Sequence, residues 1–81
     1  MHVKVLGPGC AKCQRLYVEA QRAVAESGLD IALEKVEDVQ AIMGYGIMMT
    51  PAIVVDEEVK ASGRVPPASE IAGWLHEAAA R

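Results

Sequence analysis

Eighty-one residues leave room for one compact domain, so residues 1–81 are expected to share a single core. Apolar residues make up 52% of the chain and only two residues are cysteine, so stability must come from a hydrophobic core rather than a disulfide framework. Eight Lys and Arg against eleven Asp and Glu give a net charge of -3 with no basic run, which argues against nucleic acid or anionic membrane as partners.

In chain order, the alternating segment His2 to Leu6 reads as a short strand that stops at Gly7-Pro8-Gly9, where two glycines and a proline force a turn. From Cys13 onward, Leu16, Ala20, Ala23 and Val24 recur at three- and four-residue spacing, with Gln14, Arg15, Glu19, Arg22 and Glu26 on the other face. That pattern is an amphipathic helix closed by Gly28. Asp30 to Val36 makes a second strand, and Asp38 to Met43 a short helix ending at Gly44. The continuous apolar run Ala52 to Val55 suits a strand covered on both faces, and Asp56-Glu57 turns it into a hairpin with Glu58 to Ala61. Pro66 and Pro67 then start a last helix with Ile71, Trp74, Leu75 and Ala78 as its buried stripe, while Ala78 to Ala80 are expected to fray. The order is β-α-β-α-β-β-α, an α/β fold. Met1 leads directly into the first strand and no apolar stretch approaches the ~20 residues of a membrane helix, so an unexported, cytoplasmic protein is expected.

The chemistry concentrates in Cys10-Ala11-Lys12-Cys13, between a strand and the first turn of a helix. A cysteine pair at this spacing, in a chain with no export signal, points to redox or metal chemistry. Helix N-termini carry unpaired N–H groups and roughly half a positive charge, which favours a thiolate. Cys10 is therefore the more acidic thiol, whereas Cys13 shares the apolar stripe with Leu16 and Ala20 and is the buried partner. Lys12 lies between them, either adding positive charge near Cys10 or simply facing water. A second signal is Thr50-Pro51-Ala52, since proline is tolerated only at the first residue of a buried strand.

Gly9-Cys10-Ala11-Lys12-Cys13, Thr50-Pro51-Ala52 and Ser62-Gly63-Arg64-Val65-Pro66 together resemble the small thioredoxin-like proteins called redox-active disulfide proteins, related in fold to thioredoxins and glutaredoxins. The resemblance spans nearly the whole chain. It implies a four-stranded mixed sheet flanked by three helices, with Pro51 cis and facing the dithiol. It also implies thiol–disulfide exchange with Cys10 attacking and Cys13 resolving, and a substrate segment pairing with the backbone of Thr50 beside Pro51. Expected partners are protein or small-molecule disulfides and an electron donor, with no cofactor and no metal. The sequence departs from ordinary thioredoxins at Gly9, where an aromatic residue is usual, and at Ala11-Lys12, where Gly-Pro is usual. Strand one carries Lys4 and no carboxylate, leaving the proton acceptor of Cys13 unassigned.

Two other readings use the same residues. A soft-metal carrier would hold copper(I) through Cys10 and Cys13 with thioethers from the methionines, although Met43, Met48 and Met49 read more simply as core filler. Zinc would need four ligands, and neither His2 nor His76 has ligand spacing. A heavy-metal-binding domain ends on a strand, whereas this chain ends on a helix around Trp74. The remaining alternative is a non-catalytic interaction domain; Trp74 reads as a core anchor, Tyr17 and Tyr45 equally as packing residues or substrate contacts, and Gly63 as part of a turn or bulge.

Overall fold

The computed structural model describes residues 1–81 and arranges them as β1 (His2–Leu6), α1 (Ala11–Ser27), β2 (Ala32–Val36), α2 (Val39–Met43), β3 (Ala52–Val55), β4 (Glu58–Ser62) and α3 (Ala68–Ala79). The strands form one sheet in the order β2-β1-β3-β4. β1 pairs parallel with β2 across the α1 crossover, and antiparallel with β3, which in turn pairs antiparallel with β4. This is the mixed four-stranded sheet with three helices expected from the sequence. No helix is long and apolar enough to cross a membrane.

The two central strands place alternate side chains on opposite faces, as the period of two demands. Val3 and Val5 of β1 and Ile53 and Val55 of β3 join Leu16, Ala20 and Ala23 of α1 and Ile71 and Leu75 of α3 in the larger core. Leu6, Ala52 and Val54 point the other way and pack with Ile42 and Ile47 around α2. β3 is accordingly buried at all four positions, which explains its uninterrupted apolar run. α1 ends at Gly28, whose φ of 70° supplies the left-handed cap that a residue with a Cβ adopts only at a cost.

The five-residue α2 is too short to cover its whole face of the sheet. Lys4, on that face of β1, is left at the edge of the smaller core, where its ammonium donates to the Tyr45 hydroxyl (2.7 Å) and to Glu57 Oε1 (3.0 Å). These contacts raise the Lys4 pKa and keep the lysine charged. They also tie down the β3–β4 turn, where Asp56 and Glu57 have φ of 48° and 67° without being glycine. Asp56 is held separately by exchanging hydrogen bonds with the His2 backbone, 2.8 Å each way.

Several local expectations are corrected. Met43, Met48 and Met49 are not core filler: they are 66%, 97% and 65% exposed, because the segment after α2 runs over the surface and buries Ile47 instead. Trp74 is only half-buried at the core margin, with Ile71 and Leu75 taking the fully buried positions one turn apart. Gly63 takes the turn after β4 with φ of 77°, and the bulge of the hairpin falls at Lys60, between the Ile53–Ala61 and Val54–Val59 pairs. α3 persists to Ala79, where the Ala80 N–H closes its end on His76 and Glu77 carbonyls.

Ile53 is fully buried between α1 and α3. Ile53→Ala is expected to lower the unfolding free energy by about 2–5 kcal/mol, read from the midpoint of a urea titration at unchanged slope.

Candidate active site

Beyond Leu6, β1 continues into Gly7, whose N–H donates to the Val36 carbonyl (2.9 Å) and extends the parallel ladder by one bond. The Pro8-Gly9 turn then delivers Cys10 to the N-cap of α1. Its backbone is extended (φ -69°, ψ 169°), its carbonyl accepts from Gln14 N (3.0 Å), and its sulfur accepts from Cys13 N (3.3 Å). Cys10 thus fills with sulfur the capping role that serine, threonine or aspartate oxygen usually takes.

Both cysteines are free thiols, with Cys10 exposed and Cys13 buried at 4% exposure. Their sulfurs are 2.6 Å apart. The Cys10 pKa is lowered, first by the hydrogen bond with the Cys13 side chain and then by backbone N–H groups of Cys13 and Lys12. The Cys13 pKa is raised, first by burial and then by the Cys10 sulfur beside it. Of the two thiols, Cys10 is therefore the one that gives up its proton first, and Cys13 the one that keeps it. Lys12 contributes through its main-chain N–H, while its side chain faces water.

Gly7 sets the geometry from below. A methyl group at Gly7 would overlap Cys13 Sγ and stand 3.1 Å from Cys13 Cβ and 3.9 Å from Pro51 Cα. Cys13 therefore occupies the space that a side chain at position 7 would need, with Pro51 in ordinary contact distance of the same position. The Thr50–Pro51 peptide is cis, Pro51 is buried, and its carbonyl accepts from Gly63 N (2.8 Å). Thr50, just before it, makes no backbone hydrogen bond within the chain. The structure thus brings the two sequence signals, the cysteine pair and Thr50-Pro51, together across Gly7.

Gly7 and Glu37 were not singled out by the sequence. Gly7 read only as part of a turn, and its pressure on Cys13 depends on a helix and a strand distant from it in the chain. Glu37, just past the end of β2, places Oε2 within 3.1 Å of where a Gly9 Cβ would stand, so its carboxylate lies against the loop that carries Cys10. No charged side chain is buried anywhere, so the site contains no buried acid. Among His, Cys, Asp and Glu, no group of three or more is placed to hold a metal ion.

A family model described as a thioredoxin domain matches residues 1–76. The chain belongs to the thioredoxin domain family. It is 39% identical over 71 residues to a thioredoxin of Methanothermobacter thermautotrophicus, spanning 88% of this chain and 92% of that one. A thioredoxin of Methanocaldococcus jannaschii is 33% identical over 69 residues, 85% of this chain and 79% of its own. These similarities support thiol–disulfide oxidoreductase chemistry in general terms and do not favour the soft-metal carrier.

The two thiols should titrate apart. Because the Cys10 value is depressed, its alkylation by iodoacetamide persists to lower pH than for an ordinary thiol, and at neutral pH it outpaces Cys13 by about tenfold or more. Mass spectrometry of the alkylated peptides reads both rates. Gly7→Ala displaces the Cys13 sulfur, and the Cys10 inflection is expected to move up toward the ordinary thiol value; an unmoved inflection would mean that the Cys13 thiol does not lower it.

Proposed function

We propose that this protein reduces or exchanges disulfides in other proteins, with Cys10 as the attacking thiol, Cys13 as the resolving thiol, and Thr50-Pro51 as the edge that receives the substrate. The observation that carries this reading is the division between the sulfurs: an exposed Cys10 with a lowered pKa and a buried Cys13 with a raised one, hydrogen-bonded to each other at a helix N-terminus. Symmetric metal ligation would require no such difference.

The reaction balances as two exchanges. The Cys10 thiolate attacks one sulfur of a substrate disulfide, forming a Cys10–substrate disulfide and expelling the other substrate sulfur as a thiolate. That thiolate takes up a proton, and Cys13, on losing its own, attacks Cys10 Sγ. The mixed disulfide breaks, the second substrate thiolate leaves and is protonated from solvent, and the protein retains a Cys10–Cys13 disulfide. Two electrons pass to the substrate, and an external dithiol reductant restores the pair. With no buried acid in the site, the Cys13 proton leaves to water or to the departing thiolate.

The unpaired backbone of Thr50 supports substrate docking, because an extended segment can hydrogen-bond to it as an added strand whatever its sequence. Action in a reducing cytoplasm is part of the same proposal.

Trapping tests the roles. Cys13→Ser is expected to accumulate a mixed disulfide with a disulfide-bearing protein such as insulin, and Cys10→Ser to trap little, scored on non-reducing gels. Preferential trapping through Cys13 would reverse the assignment. Equal inertness of both variants, with no insulin reduction by the wild type, would remove the oxidoreductase reading.

A further inference from the structure

A groove of about 600 Å³ opens beside the dithiol, between the outer face of α1 and the segment that leads into α3. It begins at Ala11, the residue after Cys10, and continues along the helix past Arg15 to Val18, with Val65 and Pro67 forming the opposite wall. Val18 is 51% exposed here, an apolar side chain on the polar face of an otherwise well-segregated helix. Glu19 also lines the groove, but its charge is committed: one carboxylate oxygen accepts from Ala68 N (3.2 Å) and the other from Arg22 (3.0 Å).

The cations of the molecule are unevenly used. Lys4, Arg22, Lys60, Arg64 and Arg81 each pair with a carboxylate. Lys35 lies over the Tyr17 ring, 4.8 Å from its centroid. Only Lys12 and Arg15 have no hydrogen bond, ion pair or aromatic partner. They sit three residues apart in the first two turns of α1, so their side chains are neighbours on the helix surface. Arg15 lines the groove and Lys12 lies beside it on the first turn of α1, so in a chain of net charge -3 the two uncommitted cations flank the dithiol end.

We propose that this groove docks the segment flanking the disulfide of a protein substrate, and that it selects segments combining an apolar side chain with acidic ones. The apolar side chain packs between Val18, Val65 and Pro67. Arg15 and Lys12 pair with the carboxylates at the rim, and continuity with Ala11 brings the adjoining disulfide to Cys10. Rim charges of this kind act mainly on the encounter rate and on the choice between partners. The inference rests on the dithiol being the exchange site, and it adds a substrate preference that the sequence-tolerant pairing at Thr50 does not provide.

The test uses the reduced full-length protein in single-turnover reactions with three synthetic peptides, each closed by one internal disulfide. The first carries a flanking leucine and two glutamates, the second a leucine and two lysines, and the third a serine and two glutamates. Neutral hydroxyethyl disulfide serves as a substrate without any flanking segment. At low ionic strength the glutamate–leucine peptide is expected to react about tenfold faster than the lysine peptide and faster than the serine peptide. That ratio should contract at 0.5 M salt, roughly where screening shortens to a few ångströms, and fall toward one in Arg15→Glu. Taking the ratio of two peptides cancels any change that the substitution makes to Cys10 itself. Failure to reduce hydroxyethyl disulfide would overturn the exchange reading. Reduction of it with no peptide preference, or with a preference that survives both salt and Arg15→Glu, would overturn the docking proposal alone. A dimer dissolved by Val18→Arg, seen by sedimentation together with no peptide preference, would give the groove to a second copy of the chain and likewise overturn it.

Discussion

The arrangement depends on the contact of Cys13 with Gly7. Cys13 must follow the apolar stripe of α1 inward to be buried, yet its amide and thiol must still reach the sulfur of Cys10 at the N-cap. Both conditions hold only if the strand below comes close enough to seat the Cys13 sulfur against bare backbone. Gly7 provides that seat, and with Pro51 within contact distance of the same position, α1, β1 and the start of β3 meet there. Burial of the two central strands on both faces holds these three parts in place, so the reactivity of an exposed sulfur traces back to the packing of the sheet.

Most of the fold was legible because its signals are local and periodic. The stripe of α1, the apolar run of β3 and the Asp56-Glu57 turn each follow from a few adjacent residues. Cys10 and Cys13 were separable for the same reason, since helical spacing puts only Cys13 on the stripe. What escaped depends on distant neighbours. Met48 and Met49 look like core residues by type, and only the path of the loop before Pro51 leaves them outside. The Lys12 side chain faces water, as a lysine on a first helical turn usually does, but the part its main-chain N–H plays at the Cys10 sulfur had no sequence signal. Glu37 reaches Gly9 only because β2 lies parallel beside β1 and ends at the same level.

Lys4 illustrates how a local conflict is resolved by tertiary structure. A lysine in the central strand of a sheet is disfavoured because an ammonium loses hydration there. Here the shortness of α2 leaves it within reach of Tyr45 and Glu57, so the charge is retained and paired at the margin of the smaller core. The same contacts hold Glu57 in a left-handed conformation that glycine or asparagine would adopt more readily. One ion pair thus serves strand and turn together, although at this exposure its worth lies in fixing geometry more than in net stability.

The electrostatics of the two sulfurs bear on the direction of exchange. Hydrogen bonds from α1 stabilise the Cys10 thiolate, a species that exists only in the reduced protein. Whatever lowers the free energy of the reduced form makes the corresponding disulfide a stronger oxidant. Burial of Cys13 acts differently: it disfavours the Cys13 thiolate while leaving its neutral thiol undisturbed, and so would slow the proposed resolving step without penalising the reduced state. The two effects are separable because they act on different species. In the proposed exchange, helix capping would tune the equilibrium between dithiol and disulfide, and burial of the second sulfur would tune the lifetime of the mixed disulfide. With neither an aromatic residue before Cys10 nor a buried acid near Cys13, these main-chain and packing terms carry the tuning that side chains carry in ordinary thioredoxins.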